Sequence, residues 1–146
     1  MRVTLVNPPS PGSSHISRGL MGGFGMAVGK SLLYPPIELA HVASVLRAAR
    51  HKVHIFDCDA DELTTDDLLA RLRVEKPKVI GVDTSTASWT SDLALAGALA
   101  EQIDAHIFDS FQRLDGFDDR ADTVSAGHAV HCVGDGPGRE LRSGRG

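Results

Sequence analysis

Residues 1–9, MRVTLVNPP, decide the fold of this chain. The run at residues 3–6 is short, apolar and mostly β-branched, which is typical of a strand buried inside a parallel sheet. Pro8 and Pro9 cannot donate to a strand ladder, so the strand ends there and a loop begins. In open α/β sheets, the loops that leave the carboxyl ends of the strands carry the ligand. The sequence therefore predicts a binding site that starts at Asn7.

The composition fits one ordinary globular domain of 146 residues, with 42% hydrophobic and 23% charged residues. The net charge of −4 gives no indication of nucleic-acid binding. No apolar run approaches the roughly 20 residues that a membrane span needs, and the start of the chain lacks the long apolar region of a signal peptide. The two cysteines are too few for a disulfide framework. We therefore expect a cytoplasmic protein without a membrane or nucleic-acid partner.

A long segment rich in serine and glycine follows, at about residues 10–33. Loops of this length are usually functional or disordered. Gly23, Gly25 and Gly29 give a superficial likeness to a dinucleotide fingerprint, but the last spacing is too long and the segment does not directly follow the strand. We expect a mobile lid that covers a flat ligand, with a plain disordered loop as the alternative.

The rest of the chain alternates between helical and strand patterns. The predicted elements are a helix at residues 36–49, a strand at 52–57, a helix from Thr64 or Thr65 to before Pro77, a strand at 78–83, and a helix capped by Thr90 or Ser91 that runs to 103. This alternation predicts an α/β fold with a parallel sheet and right-handed crossovers. The apolar content of residues 3–6 and 79–82 predicts that the first and third strands are adjacent and central.

The pattern weakens beyond residue 103. Residues 106–108 and 123–133 are candidate strands, whereas residues 110–122 are polar without clean periodicity. We therefore assign residues 1–103 to an α/β domain, and we treat residues 104–146 as an atypical, disordered or degraded C-terminal part of the same domain.

Polar residues follow the second and third predicted strands. An acidic run at residues 57–62 comes after the second strand, and Asp83, Thr84, Ser85 and Thr86 come after the third. The acids can contact a ribose or a cation, or they can simply cap the next helix; the hydroxyl groups can line a pocket or turn the chain. No nucleophile–base set, metal-ligand set or phosphate loop is recognisable, so the sequence identifies no catalytic and no metal-binding residue.

A resemblance to a known family rests on four pieces of the sequence taken together: residues 2–9, 34–40, 57–60 and 76–83. With them, the first 103 residues resemble the N-terminal cobalamin-binding domain of cobalamin-dependent radical S-adenosylmethionine enzymes. The resemblance implies a flavodoxin-like (Rossmann-like) three-layer fold with about four to five parallel strands. It also implies a corrinoid over the carboxyl strand ends, with its nucleotide tail in a cleft beside the third and fourth strands.

The same resemblance implies which residues contact the corrinoid. They are Asn7, Pro8, Pro9, Gly23, Gly25, Tyr34, Pro35, Asp57, Asp83, Thr84, Ser85 and Thr86. Related carriers outside the radical group place a cobalt-binding histidine just after the first strand, where residues 7–12 of this chain contain none. We therefore expect cobalamin to bind without a histidine ligand.

The chain also departs from the family pattern. Residues 126–129 and 134–137 are displaced, degraded counterparts of the glycine-rich turns that follow the fourth strand. Cys58 and Cys132 cannot supply the Cys-x3-Cys-x2-Cys triad of a radical enzyme, so we expect no iron–sulfur cluster and no catalysis by this chain alone. The resemblance thus implies a truncated family member, or an accessory subunit that works with a separate radical S-adenosylmethionine subunit or domain.

Other interpretations remain open at this stage. One is a small nucleotide- or flavin-binding α/β enzyme on the same sheet topology, and another is a non-functional fragment. A response-regulator-like signalling domain is disfavoured, because Asp83 lacks the paired acids that would follow the first strand, where Asn7 and Pro8 stand.

Overall fold

The structure is a computed structural model that describes residues 1–109 and 131–132. Five parallel strands form one sheet in the order β4-β1-β5-β6-β7. These strands are β1 (Arg2–Asn7), β4 (Lys52–Asp57), β5 (Val79–Val82), β6 (His106–Asp109) and β7 (His131–Cys132). The order corresponds to 2-1-3-4-5, the flavodoxin-like arrangement, and it confirms the predicted fold class.

Three helices cover the two faces of the sheet: α1 (Ile37–Ala48), α2 (Thr65–Glu75) and α3 (Trp89–Gln102), the last preceded by a 3₁₀ turn at Thr86–Ser88. On one face, Val3 and Leu5 pack with Leu39 and Ala43 of α1. On the other face, β1 contributes Val6 to a larger core built with α2 and α3. This division follows from the strand periodicity of two, since successive side chains of β1 point to opposite faces.

The central position of β1 and β5 was expected from their apolar content, and it is confirmed. β1 pairs with both β4 and β5, and β5 pairs in turn with β6. Gly81 of β5 has a specific packing role, because a Cβ atom there would lie 2.6 Å from Cζ of Phe108. The absence of a side chain at Gly81 thus leaves room for an aromatic ring of the neighbouring strand.

The helix boundaries agree closely with the sequence pattern, with one exception at α3. Thr64, one of the two predicted caps, is the N-cap of α2, where it forms a reciprocal capping box with Asp67. The expected cap of α3 at Thr90 or Ser91 is wrong, because the helix begins at Trp89 with Ser88 as its N-cap residue. The hydroxyl of Ser88 makes no cap bond and instead donates to Asp92.

The segment expected to be a mobile lid or a disordered loop contains a β-hairpin. Two three-residue strands, β2 (His15–Ser17) and β3 (Met26–Val28), pair antiparallel. The expectation of an unstructured segment is therefore corrected. The sequence did not indicate the hairpin because such short strands derive their stability from contacts made elsewhere in the chain.

The candidate strand at residues 106–108 is confirmed as β6. Only His131 and Cys132 of the candidate strand at 123–133 belong to the described residues, where they form β7. The polar stretch 110–122 and the motifs at 126–129 and 134–137 lie outside the described residues. In the part of the chain that is described, no helix is long and apolar enough to cross a membrane.

Candidate functional site

The ends of the central strands meet at the carboxyl edge of the sheet, as the sequence predicted. Asn7 lies in register with Asp57, and its Nδ2 donates to Asp57 Oδ1 over 2.8 Å. On the other side, the backbone N–H of Asp83 donates to the carbonyl of Val6 over 2.8 Å. Asn7, Asp57 and Asp83 therefore stand side by side along three adjacent strands, where a ligand of an open α/β sheet binds.

The segment after β1 is tied to the loop that follows β4. The backbone N–H of Ser10 donates to Asp59 Oδ1, and its hydroxyl donates to Asp59 Oδ2. The hydroxyl of Ser10 in turn accepts the N–H of Ile16, at the centre of β2. His15 Nδ1 lies 3.4 Å from Asp59 Oδ2. One acidic residue of the run 57–62 thus binds the hairpin rather than facing solvent.

Arg18 makes a second and deeper set of contacts. Its side chain is 1% exposed, and its guanidinium meets Asp92 through two bonds, Nη2 to Oδ1 at 2.6 Å and Nε to Oδ2 at 3.2 Å. Nη1 donates to Asn7 Oδ1 at 2.9 Å and to the carbonyl of Pro8 at 3.0 Å. Both ends of the Asn7 amide are therefore held, Nδ2 by Asp57 and Oδ1 by Arg18.

Asp92 connects the hairpin to the turn after β5. Besides Arg18, its carboxylate accepts the hydroxyl of Ser88 and the backbone N–H of Ser85. The hydroxyls of Ser85 and Ser88 lie 2.8 Å apart. Ser85 is fully buried in this network, so the side chain expected to touch a ligand instead supports the turn.

The tip of the hairpin rests on the same turn. The carbonyl of Phe24 accepts the N–H of Ala87 over 2.9 Å. Gly25 has a φ of +75°, and a Cβ atom there would lie only 2.4 Å from Ser85 Oγ. Gly23 has a φ of +92°, but a Cβ atom there would meet nothing. Of the two predicted lid glycines, Gly25 contacts the strand-end residues and Gly23 lies at an open position.

Several predicted residues line a cavity of about 180 Å³ between the hairpin and the start of α1. Asn7, Tyr34, Pro35 and Asp83 contribute to its wall, together with residues 16–20 of the hairpin side and 36–38 of α1. Pro8 and Thr84 are buried beside this edge, Pro9 is partly buried and Thr86 is exposed. The structure thus gathers four of the predicted residues around one space.

Large apolar side chains of the hairpin and of the segment up to the start of α1 are exposed, and two of them, Tyr34 and Ile37, line the cavity. We call them the apolar rim; each is between 43% and 69% exposed, and they are Met21, Phe24, Met26, Leu32, Leu33, Tyr34 and Ile37. Four of these residues, at positions 32–34 and 37, lie within six residues of the chain, and clustered exposed apolar residues are typical of ligand or partner surfaces. The cavity is smaller than the roughly 300–1,000 Å³ of typical ligand pockets. A ligand as large as a corrinoid could therefore place only a substituent in it, and its macrocycle would have to lie on exposed surface such as the apolar rim.

The site contains no activated nucleophile among the described residues. Burial raises the pKa of the Cys58 thiol to about 12, and the nearby carboxylates of Asp57 and Asp59 add to the effect. A thiol with this pKa stays protonated at neutral pH and is a poor nucleophile. Residues 1–109 and 131–132 also hold no group of three or more His, Cys, Asp or Glu side chains placed for a metal ion.

Sequence analysis did not identify Arg18 and Asp92 as site residues, although a signal for each was present. Asp92 lies one turn before Leu95 and Ala96 on the buried side of α3, a position that predicts an inward carboxylate. A buried carboxylate requires a cation or several donors. Within residues 10–29, Arg18 is the one lysine or arginine.

Comparisons with known proteins agree with this geometry. The sequence model of a family described as the B12 binding domain matches residues 30–108. An uncharacterized methyltransferase of Pyrococcus horikoshii is 32% identical over 108 residues, which are 74% of this chain and 20% of that protein. The chain thus spans about a fifth of the length of this curated relative. No solved structure matches the chain.

Proposed function

The chain belongs to the B12 binding domain family, and from this membership we propose that it holds a corrinoid against the carboxyl edge of its sheet. The observation that carries the proposal is the exposed apolar rim together with a small cavity at that edge, whose wall includes the polar residues Asn7 and Asp83. A corrinoid matches both features: its macrocycle is broad and apolar, like the rim, and its periphery bears carboxamides that can bind polar groups in the cavity. When bound, it supplies a cobalt centre that can carry a methyl group.

Apolar and polar residues of the chain would bind different parts of the corrinoid. In this proposal Tyr34, Pro35 and Ile37 present exposed apolar surface to the macrocycle. Asn7 and Asp83 line the cavity, where they can hydrogen-bond a peripheral carboxamide. The remaining predicted contacts, at Pro9, Gly23 and Thr86, belong to the outer edge of the same site.

We propose that the module lacks catalysis of its own and serves a methyltransferase-like domain or subunit. Two findings support this: no nucleophile–base set stands at the edge among the described residues, and the P. horikoshii relative is named a methyltransferase. The sequence resemblance adds that the partner is a radical S-adenosylmethionine subunit or domain. Gly23 and Gly25 give no support to the alternative of a small nucleotide- or flavin-binding enzyme, because they belong to a hairpin rather than to a strand-to-helix phosphate turn.

Corrinoid retention tests the proposal directly. The purified protein is mixed with hydroxocobalamin and desalted, and the visible spectrum of the protein fraction is recorded. We expect the corrinoid absorption to remain with the protein in stoichiometric amount. A protein fraction without corrinoid absorption would reject the proposed function.

A pair of matched variants locates the site on the rim. Leu33→Asp combined with Ile37→Asp places two charges on the rim, and we expect corrinoid affinity to fall by about tenfold or more. The control is Val42→Asp combined with Val45→Asp, which changes two exposed apolar residues elsewhere on α1. Equal loss in both variants would place the ligand elsewhere.

A further inference from the structure

We propose that Arg18 is the positioning residue of this site: its ion pair with Asp92 holds the β2–β3 hairpin against the sheet edge before any ligand arrives. The inference rests on the proposed function, because it concerns the wall against which the corrinoid would bind. It replaces the expected mobile lid with a preformed one. It also assigns a role to two residues that neither the sequence motifs nor the family resemblance pointed to.

The contacts of Arg18 join three separate parts of the fold. Through Nη1 it binds the end of β1 at Asn7 and Pro8, and through Nε and Nη2 it binds α3 at Asp92. Arg18 itself directly follows β2. A single side chain thus fixes the position of the hairpin relative to the first strand and the third helix.

The buried charge of Asp92 is also fully compensated by hydrogen-bond donors. Asp92 is 0% exposed and accepts from Arg18 at both oxygens, with Ser88 and the Ser85 N–H as further donors to Oδ2. Both charges are therefore satisfied away from water. Removing either partner would leave the other as a buried, uncompensated charge, which strongly favours displacement of the hairpin.

The position of the hairpin determines the shape of the proposed site. Residues 16–20 form one wall of the cavity, and Phe24 and Met26 of the apolar rim lie in the hairpin. If Arg18 releases the hairpin, the cavity wall and part of the rim move together. Binding would then have to order this segment against its conformational entropy, a cost that a preformed wall avoids.

Three variants separate positioning from general stability. Arg18→Met keeps the length of the side chain and removes its charge, Arg18→Lys keeps the charge without the planar fork, and Arg71→Met removes an exposed arginine on α2. The measurements are the dissociation constant for hydroxocobalamin and amide hydrogen exchange of the ligand-free protein. Exchange in β1 and β5 reports whether the sheet is intact in each variant.

We expect Arg18→Met to weaken hydroxocobalamin binding by about tenfold or more, Arg18→Lys to restore part of that loss, and Arg71→Met to change nothing. In ligand-free Arg18→Met, the amides of residues 15–28 should exchange faster while those of β1 and β5 stay protected. Unchanged affinity in Arg18→Met would overturn the inference. Tighter binding would overturn it too, since the hairpin would then be an obstacle to the ligand.

The exchange measurement keeps this inference distinct from the proposed function. If the wild-type protein binds no hydroxocobalamin, the proposed function fails regardless of Arg18. If the wild type binds it but hairpin exchange and affinity are the same in Arg18→Met, only the positioning role fails. Should Arg18→Met not fold, the double variant Arg18→Met/Asp92→Asn removes both charges, so that neither is left buried alone, and the same outcomes apply.

Discussion

Arg18 and Asp92 form an ion pair that is closed to solvent, with Nη2 and Oδ1 2.6 Å apart and side chains 1% and 0% exposed. The two residues are separated by 74 positions in the sequence. Between them lie β3, α1, β4, α2 and β5, so the contact closes the loop after β1 onto the last described helix. The carboxyl edge is therefore held by a tertiary contact as well as by the sheet.

The first prediction concerns the free energy of unfolding. Arg18→Met leaves the carboxylate of Asp92 buried without its cation, and we expect a loss of about 3–5 kcal/mol. Urea denaturation followed by circular dichroism measures this, with Arg71→Met as the exposed control. The double variant Arg18→Met/Asp92→Asn should lose less than the sum of the two single losses. Additive losses would show that the two side chains do not interact.

The second prediction uses two glycines of one turn as a matched pair. Both Gly23 and Gly25 have positive φ, so alanine at either position carries backbone strain of about 1 kcal/mol. At Gly25 the new Cβ also collides with Ser85 Oγ, whereas at Gly23 it meets open space. We therefore expect Gly25→Ala to lower the melting temperature more than Gly23→Ala.

A second substitution tests the cause of that difference. Ser85→Gly removes the hydroxyl that a Cβ at position 25 would strike. In the Ser85→Gly background, the two alanine variants should differ less than they do in the wild type. If the difference persists unchanged, the contact between the hairpin tip and Ser85 does not account for it.

The third prediction is that Cys58 does not react with thiol reagents in the folded protein. Its folded pKa of about 12 lies above the ordinary value of 9.0, so folding favours the neutral thiol. The stability that this group contributes is present below pH 9 and is lost as the pH rises toward 12. A Cys132→Ser variant isolates the signal of Cys58. Iodoacetamide at pH 8.5 should label it only after urea unfolding, and rapid labelling of the native protein would contradict the burial.

The sheet was predictable because its information is local. The apolar runs around Leu5 and Ile80 indicate buried parallel strands. Thr64 and Asp67 indicate the start of the helix between β4 and β5. Each of these signals lies within a few residues of the element it specifies. The predicted convergence of Asn7, Asp57 and Asp83 then follows from the topology alone, since parallel strands end at one edge.

The hairpin was not predictable from such local signals. β2 and β3 are three residues each, and the segment around them is rich in serine and glycine. Its position depends on Arg18, Ser10 and Phe24, whose partners Asp92, Asp59 and Ala87 are remote in sequence. The contacts of Ser85 could not be predicted from local sequence either. Its hydroxyl group was compatible with a pocket wall, but its hydrogen bonds depend on Asp92 and Ser88, which α3 brings into place.

The fourth prediction concerns the lower face of the cobalt, for which the sequence predicted no histidine ligand. His15 is the nearest histidine after β1 in the sequence, and the structure places it in β2 with Nδ1 3.4 Å from Asp59 Oδ2. Asp59 also accepts two bonds from Ser10, so this contact belongs to the set that ties the hairpin to the loop after β4. This contact occupies Nδ1, so Nε2 is the ring nitrogen through which His15 could bind cobalt.

Electron paramagnetic resonance of the protein loaded with cobalt(II) cobalamin tests this directly. We expect no nitrogen superhyperfine splitting from a protein imidazole, and the same spectrum from His15→Ala and from the control His41→Ala on α1. Because His15 contacts Asp59, His15→Ala should instead loosen the hairpin, which amide exchange of residues 15–28 would show. Splitting that disappears in His15→Ala but remains in His41→Ala would identify His15 as the cobalt ligand.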